Sequence, residues 1–275
     1  MSTLAEAFAT ARAERRGLLV GYLPAGPGAT EAFGAMVASG VDVVEVGLPY
    51  SDPVLDGPVI QEAVDRALAA GTSTTDVLRT VEDVARTGVP VLVMTYWNPI
   101  EQYGPARWAA DLAAAGGAGL ITPDLPPEEA GPWLAAAGEH RLDPVFLVAP
   151  SSTDARVASI AALCRGFVYA TAVMGVTGAR RETSTMAPTL VARVRAVTDT
   201  PVGVGLGVST GDQAAEVAGY ADAVIVGSAF VRAVLDSGAG AAGALAAELA
   251  EGVRRPLPGP VPAAGPPAAP GLDGV

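Results

Sequence analysis

The run Val202-Gly203-Val204-Gly205-Leu206-Gly207-Val208-Ser209-Thr210-Gly211-Asp212, continued by Ala223-Val224-Ile225-Val226-Gly227-Ser228, decides the architecture. Val202–Gly205 and Ala223–Val226 are short, apolar and β-branched, and glycine closes each of them, as expected of buried strands. Between them, Gly211–Ala218 reads as a helix whose start is marked by the capping pair Ser209-Thr210. Strand, helix and strand with no hairpin turn between them make a parallel pair covered by a helix.

Working outward, the same unit recurs along the chain. Strand-like runs are expected at residues 18–22, 41–46, 91–94, 119–121, 144–148, 166–170, 202–205 and 223–226, eight in all. Helical stretches separate them at 30–39, 59–86 (broken near Gly71), 106–115, 128–137, 153–164, 190–197 and 211–218, and another follows at 228–236. Eight parallel units are the count of a (β/α)8 TIM barrel. The first turn reads Gly21-Tyr22-Leu23-Pro24-Ala25-Gly26, without the G-x-G-x-x-G of a dinucleotide-binding open sheet. The fold expected is therefore α/β, a TIM barrel with an extra N-terminal helix over residues 3–16 that plugs its bottom. The barrel domain is expected to span residues 1–253. Residues 254–275, rich in Pro, Gly and Ala, read as a disordered tail.

Of 275 residues, 50% are hydrophobic and 17% charged, with a net charge of -12. The acidic balance argues against nucleic acid or an anionic membrane as partner. No lysine occurs, so all 17 basic residues are arginine. That excludes a Schiff-base lysine, covalent pyridoxal phosphate in this chain, and a Walker-type phosphate loop. His140 and Cys164 are the single His and Cys, so neither a His/Cys zinc site nor an internal disulfide can be built, and no metal is expected. With no signal-peptide pattern and no apolar run long enough to span a membrane, a cytoplasmic protein is expected. The chemistry is left to carboxylates, hydroxyls and backbone amides.

In a TIM barrel those groups sit at the C-terminal ends of the strands. Glu45 lies near the end of the second run, Val41-Asp42-Val43-Val44-Glu45-Val46. Alternation puts Val41, Val43 and Glu45 on one face. If that face points inward, desolvation raises the Glu45 pKa toward neutrality, as proton transfer requires. The alternative is a structural ion pair with an arginine. The following loop, Gly47-Leu48-Pro49-Tyr50-Ser51-Asp52-Pro53-Val54-Leu55-Asp56-Gly57-Pro58, holds two further carboxylates. Asp52 is a catalytic candidate or a turn former before Pro53, and Asp56 a catalytic candidate or a helix cap.

Three Gly-rich segments follow the last three strands: Gly175-Val176-Thr177-Gly178, Gly205-Leu206-Gly207 and Gly227-Ser228. Close-approaching amides and a helix N-terminus in those loops point to a phosphate site. Residues 175–188, polar and containing Arg180 and Arg181, read as a lid that closes over ligand. Tyr22, Tyr96, Trp97 and Tyr169 fall near strand ends, where they would line a mouth for a flat, partly apolar substrate or simply pack the core. His140 and Cys164 are given no role.

The segment from Glu45 to Pro53, followed by Asp56-Gly57-Pro58, resembles the signature of the tryptophan synthase alpha subunit family. Met94-Thr95-Tyr96-Trp97-Asn98-Pro99, Pro123-Asp124-Leu125-Pro126, Gly175-Val176-Thr177-Gly178, Gly205-Leu206-Gly207 and Gly227-Ser228-Ala229 match in the same order. The resemblance covers roughly residues 3–250. It departs at Val173-Met174, where the family often has an arginine or a serine pair, and the proline-rich tail lies outside the pattern.

The resemblance implies a lyase that splits indole-3-glycerol phosphate into indole and glyceraldehyde 3-phosphate. It places the catalytic residues at Glu45, Asp56 and Tyr169, and substrate binding at Tyr22, Tyr96, Thr177, Gly178, Gly207, Gly227 and Ser228. Asp52 would belong to the loop that meets a partner. That partner would be a beta subunit in an α2β2 complex, and pyridoxal phosphate would reside there rather than in this chain. Two other readings stand beside it: another phosphate-binding barrel isomerase or epimerase, and a non-catalytic activator of a beta subunit.

Overall fold

The computed structural model describes residues 3–171 and 183–255, the side chains of residues 183–185 excepted. Its strands are β1 (Leu18–Pro24), β2 (Val43–Gly47), β3 (Val91–Met94), β4 (Gly119–Thr122), β5 (Asp143–Val148), β6 (Val168–Thr171), β7 (Val202–Gly205) and β8 (Ala223–Val226). Each pairs in parallel with the next and β8 returns to β1, closing the barrel. The helices are α1 (Leu4–Ala13), α2 (Ala29–Ala38), α3 (Pro58–Ala69), α4 (Thr74–Ala85), α5 (Trp97–Tyr103), α6 (Pro105–Ala114), α7 (Gly131–His140), α8 (Asp154–Ala161), α9 (Thr183–Arg195), α10 (Gly211–Ala218), α11 (Ser228–Ser237) and α12 (Ala239–Val253). None of the described helices is long and apolar enough to cross a membrane.

Period-two alternation divides each strand between two cores. Leu18, Val20, Val43, Leu92, Ile121, Val145, Phe167 and Ile225 fill the barrel interior. Leu19, Val44, Val46, Val93, Leu120, Phe146 and Val204 face outward to the helices. The face carrying Glu45 thus points inward, as expected, but Val41 does not share it. The strand begins at Val43, and Val41 packs in the outer layer, within reach of Met36 and Phe230 around Gly21. Backbone bonds from Val41 N–H to the Met36 carbonyl and from Asp42 N–H to that of Leu19 hold residues 41–42 in the connection after α2, where the alternation does not yet apply.

The expected N-terminal plug is present. Thr3 and Glu6 form a reciprocal capping box at the start of α1. Leu4, Phe8 and Ala11 then enter the interior core, with the Phe8 ring 5.9 Å from that of Phe167. At the same end Asp42 accepts the Leu19 N–H at 2.9 Å and pairs with Arg16 at 3.0 Å and Arg254 at 3.4 Å.

Three helical features depart from expectation. Residues 97–103 form α5, whose Asn98-Pro99 start reads locally as loop; its first amide, Trp97 N–H, is held by Asp124 Oδ1 at 2.8 Å from the loop after β4. Residues 239–253, too rich in Gly and Ala to suggest a helix, form α12. Small side chains let it lie directly on its neighbours: a Cβ at Gly252 would collide with the Gly211 carbonyl of α10. Helix α9 begins at Thr183, inside the stretch expected to be a lid, because its polar Thr-Ser-Thr start hides the helix. The rest of that stretch, 175–182, and tail residues 256–275 lie outside the described residues.

Candidate active site at the barrel mouth

Glu45 sits two residues before the end of β2, between register partners Tyr22 of β1 and Leu92 of β3. It is 1% exposed, and among the described residues neither carboxylate oxygen has a hydrogen-bond partner. No described arginine makes the structural ion pair with it. Burial alone pushes the Glu45 carboxyl up to about 8, because an unpaired charge there would lose its hydration with nothing in return. At neutral pH Glu45 is held mostly as the acid, ready to donate.

Two tyrosines flank it. The pKa of Tyr22 lies well above its ordinary value, through burial first and then the negative fields of Asp56 and Glu45. Tyr169 of β6 is raised by burial, then by Glu45 and Tyr22. Both stay protonated and can act only as neutral hydroxyls. Glycines make room for them. A Cβ at Gly47 would collide with the Tyr22 ring and hydroxyl, and one at Gly205 would lie 2.7 Å from the Tyr169 hydroxyl oxygen. Gly47 escaped the sequence reading as part of the site, and Gly205 was read there only as part of a phosphate loop; the legible signal is a glycine ending a strand whose neighbour carries an inward tyrosine.

Asp56 lies in the loop after β2 and is half-buried. Helix α3 starts from Gly57 with no side-chain cap, so Asp56 does not serve as its cap. Desolvation raises its pKa and the Tyr96 hydroxyl opposes that rise. Tyr96 Oη accepts the Leu55 N–H at 2.9 Å, which leaves its own proton free for the Asp56 carboxylate. Burial, and then the same pull of Asp56, raise the pKa of Tyr96. Asp52 is exposed and accepts a hydrogen bond from the Ser51 hydroxyl at 2.6 Å. Val54 and Leu55 on this loop are 76% and 61% exposed.

Two of the glycine-rich segments follow β7 and β8. Gly207, after β7, has φ of +80°, a left-handed conformation that glycine adopts without penalty. Gly227 caps α11, where Ser228, Ala229 and Phe230 present first-turn amides that lie too early to bond within the helix. Val231 N–H is bonded to the Gly227 carbonyl at 3.0 Å. A Cβ at Gly227 would sit 3.4 Å from the Tyr22 ring, so this positive helix end lies beside the tyrosine that flanks Glu45. An oxyanion bound there would leave the rest of a small substrate over Tyr22 and the two carboxylates. Thr177 and Gly178 lie outside the described residues.

Trp97, expected at the mouth, opens α5. His140 ends α7 and Cys164 is 8% exposed, its thiol pushed up to about 12 by burial and so inert. Among the described residues no group of three or more His, Cys, Asp or Glu could hold a metal ion.

The family described as tryptophan synthase alpha chain matches residues 8–254. The tryptophan synthase alpha chain of Acidothermus cellulolyticus is 61% identical over 262 residues, covering 93% of this chain and 98% of that one. That of Streptomyces coelicolor is 58% identical over 261 residues, covering 91% and 96%. Among solved structures, Mycobacterium tuberculosis tryptophan synthase is similar with a TM-score of 0.88 at 54% identity, over 92% of this chain and 99% of that chain. The tryptophan synthase alpha subunit of Legionella pneumophila is similar with a TM-score of 0.83 at 33% identity, over 92% and 98%.

Proposed function

Since this chain belongs to the tryptophan synthase alpha chain family, we propose that Glu45 and Asp56 are the acid–base pair of that enzyme's reaction. The reaction is the retro-aldol cleavage of indole-3-glycerol phosphate to indole and glyceraldehyde 3-phosphate, the indole passing to a beta subunit. Breaking the carbon–carbon bond needs a place for its electron pair, and without lysine the chain offers no imine. The indole ring supplies the sink. Glu45, as the acid, protonates ring C3 while the Asp56 carboxylate bonds the ring N–H and stabilises the positive charge that develops there. Glu45, now a carboxylate, takes the proton from the hydroxyl on the adjacent glycerol carbon. The oxygen's electrons form the aldehyde, the C3–carbon bond breaks, and its pair restores the aromatic ring. One proton leaves Glu45 and one returns.

The observation that carries this reading is the buried, unpartnered Glu45 carboxyl with a pKa of about 8, a poise that suits both donation and acceptance near neutrality. Tyr169 supports Glu45, Tyr22 and Tyr96 border the indole, and the backbone at Gly207 and Gly227 with the Ser228 hydroxyl holds the phosphate, joined by Thr177 and Gly178. No metal takes part. Pyridoxal phosphate belongs to the beta subunit, and none is assigned to this chain, which lacks the lysine to anchor it covalently. The exposed Val54 and Leu55 suit burial against that subunit in an α2β2 assembly, with Asp52 on the same loop. The family match over residues 8–254 supports a lyase domain at 1–253 with 254–275 as an appendage, and a biosynthetic role with one reduced cysteine fits the cytoplasm. The test is indole release from indole-3-glycerol phosphate, with and without beta subunit, by Glu45→Gln and Asp56→Asn. Each is expected to lose on the order of 10²-fold or more in kcat. Either one keeping more than about a tenth of activity with an intact fold overturns the assignment.

A further inference from the structure

At the opposite end of the barrel from the carboxylates, between the end of α1 and the residues leading into β8, lies a cavity of about 320 Å³. Arg12, Arg15, Arg16 and Arg195 line it, together with Phe8, Tyr220 and one carboxylate residue, Asp222. In a chain of net charge -12, this gathers four of 17 arginines on one concave surface. Two of them are neutralised locally: Arg16 pairs with Glu14 at 2.6 Å and Asp42 at 3.0 Å, and Arg195 with Asp222 at 3.2 Å. Arg12 and Arg15 make no ion pair with any described residue, so the cavity keeps two free guanidinium forks. Tyr220 is half-buried, and burial with the nearby Glu216 pushes its hydroxyl up to about 12, so it remains a neutral donor.

We propose that this cavity is a second anion site, built for a small phosphoryl compound with at least two negative charges, bound by the guanidinium groups of Arg12 and Arg15. Planar forks bind phosphoryl oxygens in pairs, and concavity lowers the dielectric around the contact. A single free cation would suit any anion; two free forks on one wall select a ligand with charge on more than one oxygen. The aromatic wall of Phe8 and Tyr220 gives it an apolar side. The site is separate from the phosphate position at Gly227 and Ser228, since Asp222 and Arg16 stand before the strands whose far ends carry the mouth.

Pyrophosphate is the probe, and calorimetry on the full chain reads its binding. A Ser228→Asp background closes the mouth to anions, so any one-to-one binding that remains belongs elsewhere. Pyrophosphate is expected to bind that variant, and adding Arg12→Ala with Arg15→Ala should weaken binding about tenfold or more through loss of two charge-assisted contacts. Both side chains are exposed, so the fold should survive, which circular dichroism checks. Arg12→Lys with Arg15→Lys keeps both charges without the planar forks, so its affinity should fall between those of the parent and the double alanine variant. Absence of binding in the Ser228→Asp chain overturns the proposal, as does binding that the double alanine variant leaves unchanged.

Discussion

Gly205 at the end of β7 faces the hydroxyl of Tyr169 on β6, so closely that a Cβ there would sit 2.7 Å from the oxygen and 3.0 Å from ring atom Cε1. The absence of a side chain at 205 thus sets where the Tyr169 phenol lies, and Tyr169 lies beside Glu45. Gly205→Ala should push the ring off its position at a cost of about 1–3 kcal/mol in stability. It should also lower kcat for indole release. Adding Tyr169→Phe removes the closest atom and should recover part of the stability without recovering kcat. Equal denaturant midpoints for Gly205→Ala and wild type would show that the strand yields instead.

Glu45 gives stability a characteristic pH dependence. Its folded pKa of about 8 stands above the ordinary 4.5. Between those values the folded chain keeps a proton that the unfolded chain has lost, so stability falls as pH rises, by up to about 1.4 kcal/mol per unit. Glu45→Gln removes this slope. It should be indistinguishable from wild type near pH 4, more stable at pH 8, and inactive throughout. Urea midpoints of both chains across that range read the difference directly.

Tyr96 tunes Asp56 in the opposite sense to burial. Tyr96→Phe removes the opposing hydroxyl, so the Asp56 pKa should rise further. Because Asp56 acts as a carboxylate, the acid limb of kcat/KM should move to higher pH. The same change strips the Leu55 N–H of its acceptor, loosening the loop that carries Asp56, so kcat should fall at all pH values. A limb that stays in place would separate Tyr96 from Asp56.

Ser228 opens α11, so a negative side chain there stabilises the helix while repelling a phosphate. Ser228→Asp should keep or gain about 0.3–1 kcal/mol in stability through the helix dipole. Its KM should rise steeply, with kcat at saturation far less affected. A KM close to wild type would move the phosphate away from this helix end.

The barrel was legible because its strands are continuous apolar runs, each closed by a glycine or polar turn, and because that pattern repeats. The runs at 91–94, 202–205 and 223–226 match β3, β7 and β8 end to end, and α10 matches its expected bounds. Their signals are local: β-branched runs, a capping hydroxyl, a turn glycine. Helix α5 was not legible, since the group holding its first amide, Asp124, comes from 27 residues away in another loop. Nor was α12, whose glycines read as loop but serve close packing against α2 and α10.

The site divides along the same line. Sequence by itself determined which groups could act: carboxylates at 45 and 56, tyrosines, glycine-rich loops, and no lysine at all. Composition and motif order require no knowledge of contacts. Tertiary structure decided which of the alternatives each residue follows. Glu45 is left unpaired because no described arginine reaches the barrel interior beside it. Asp56 interacts with Tyr96 instead of capping α3, and Asp52 points to solvent. Gly47 entered the site, and Gly205 took its place under Tyr169, only when neighbouring strands brought tyrosines over them. A pKa, a collision or an unpaired charge depends on what chain closure places nearby, and strands distant in sequence supply those neighbours.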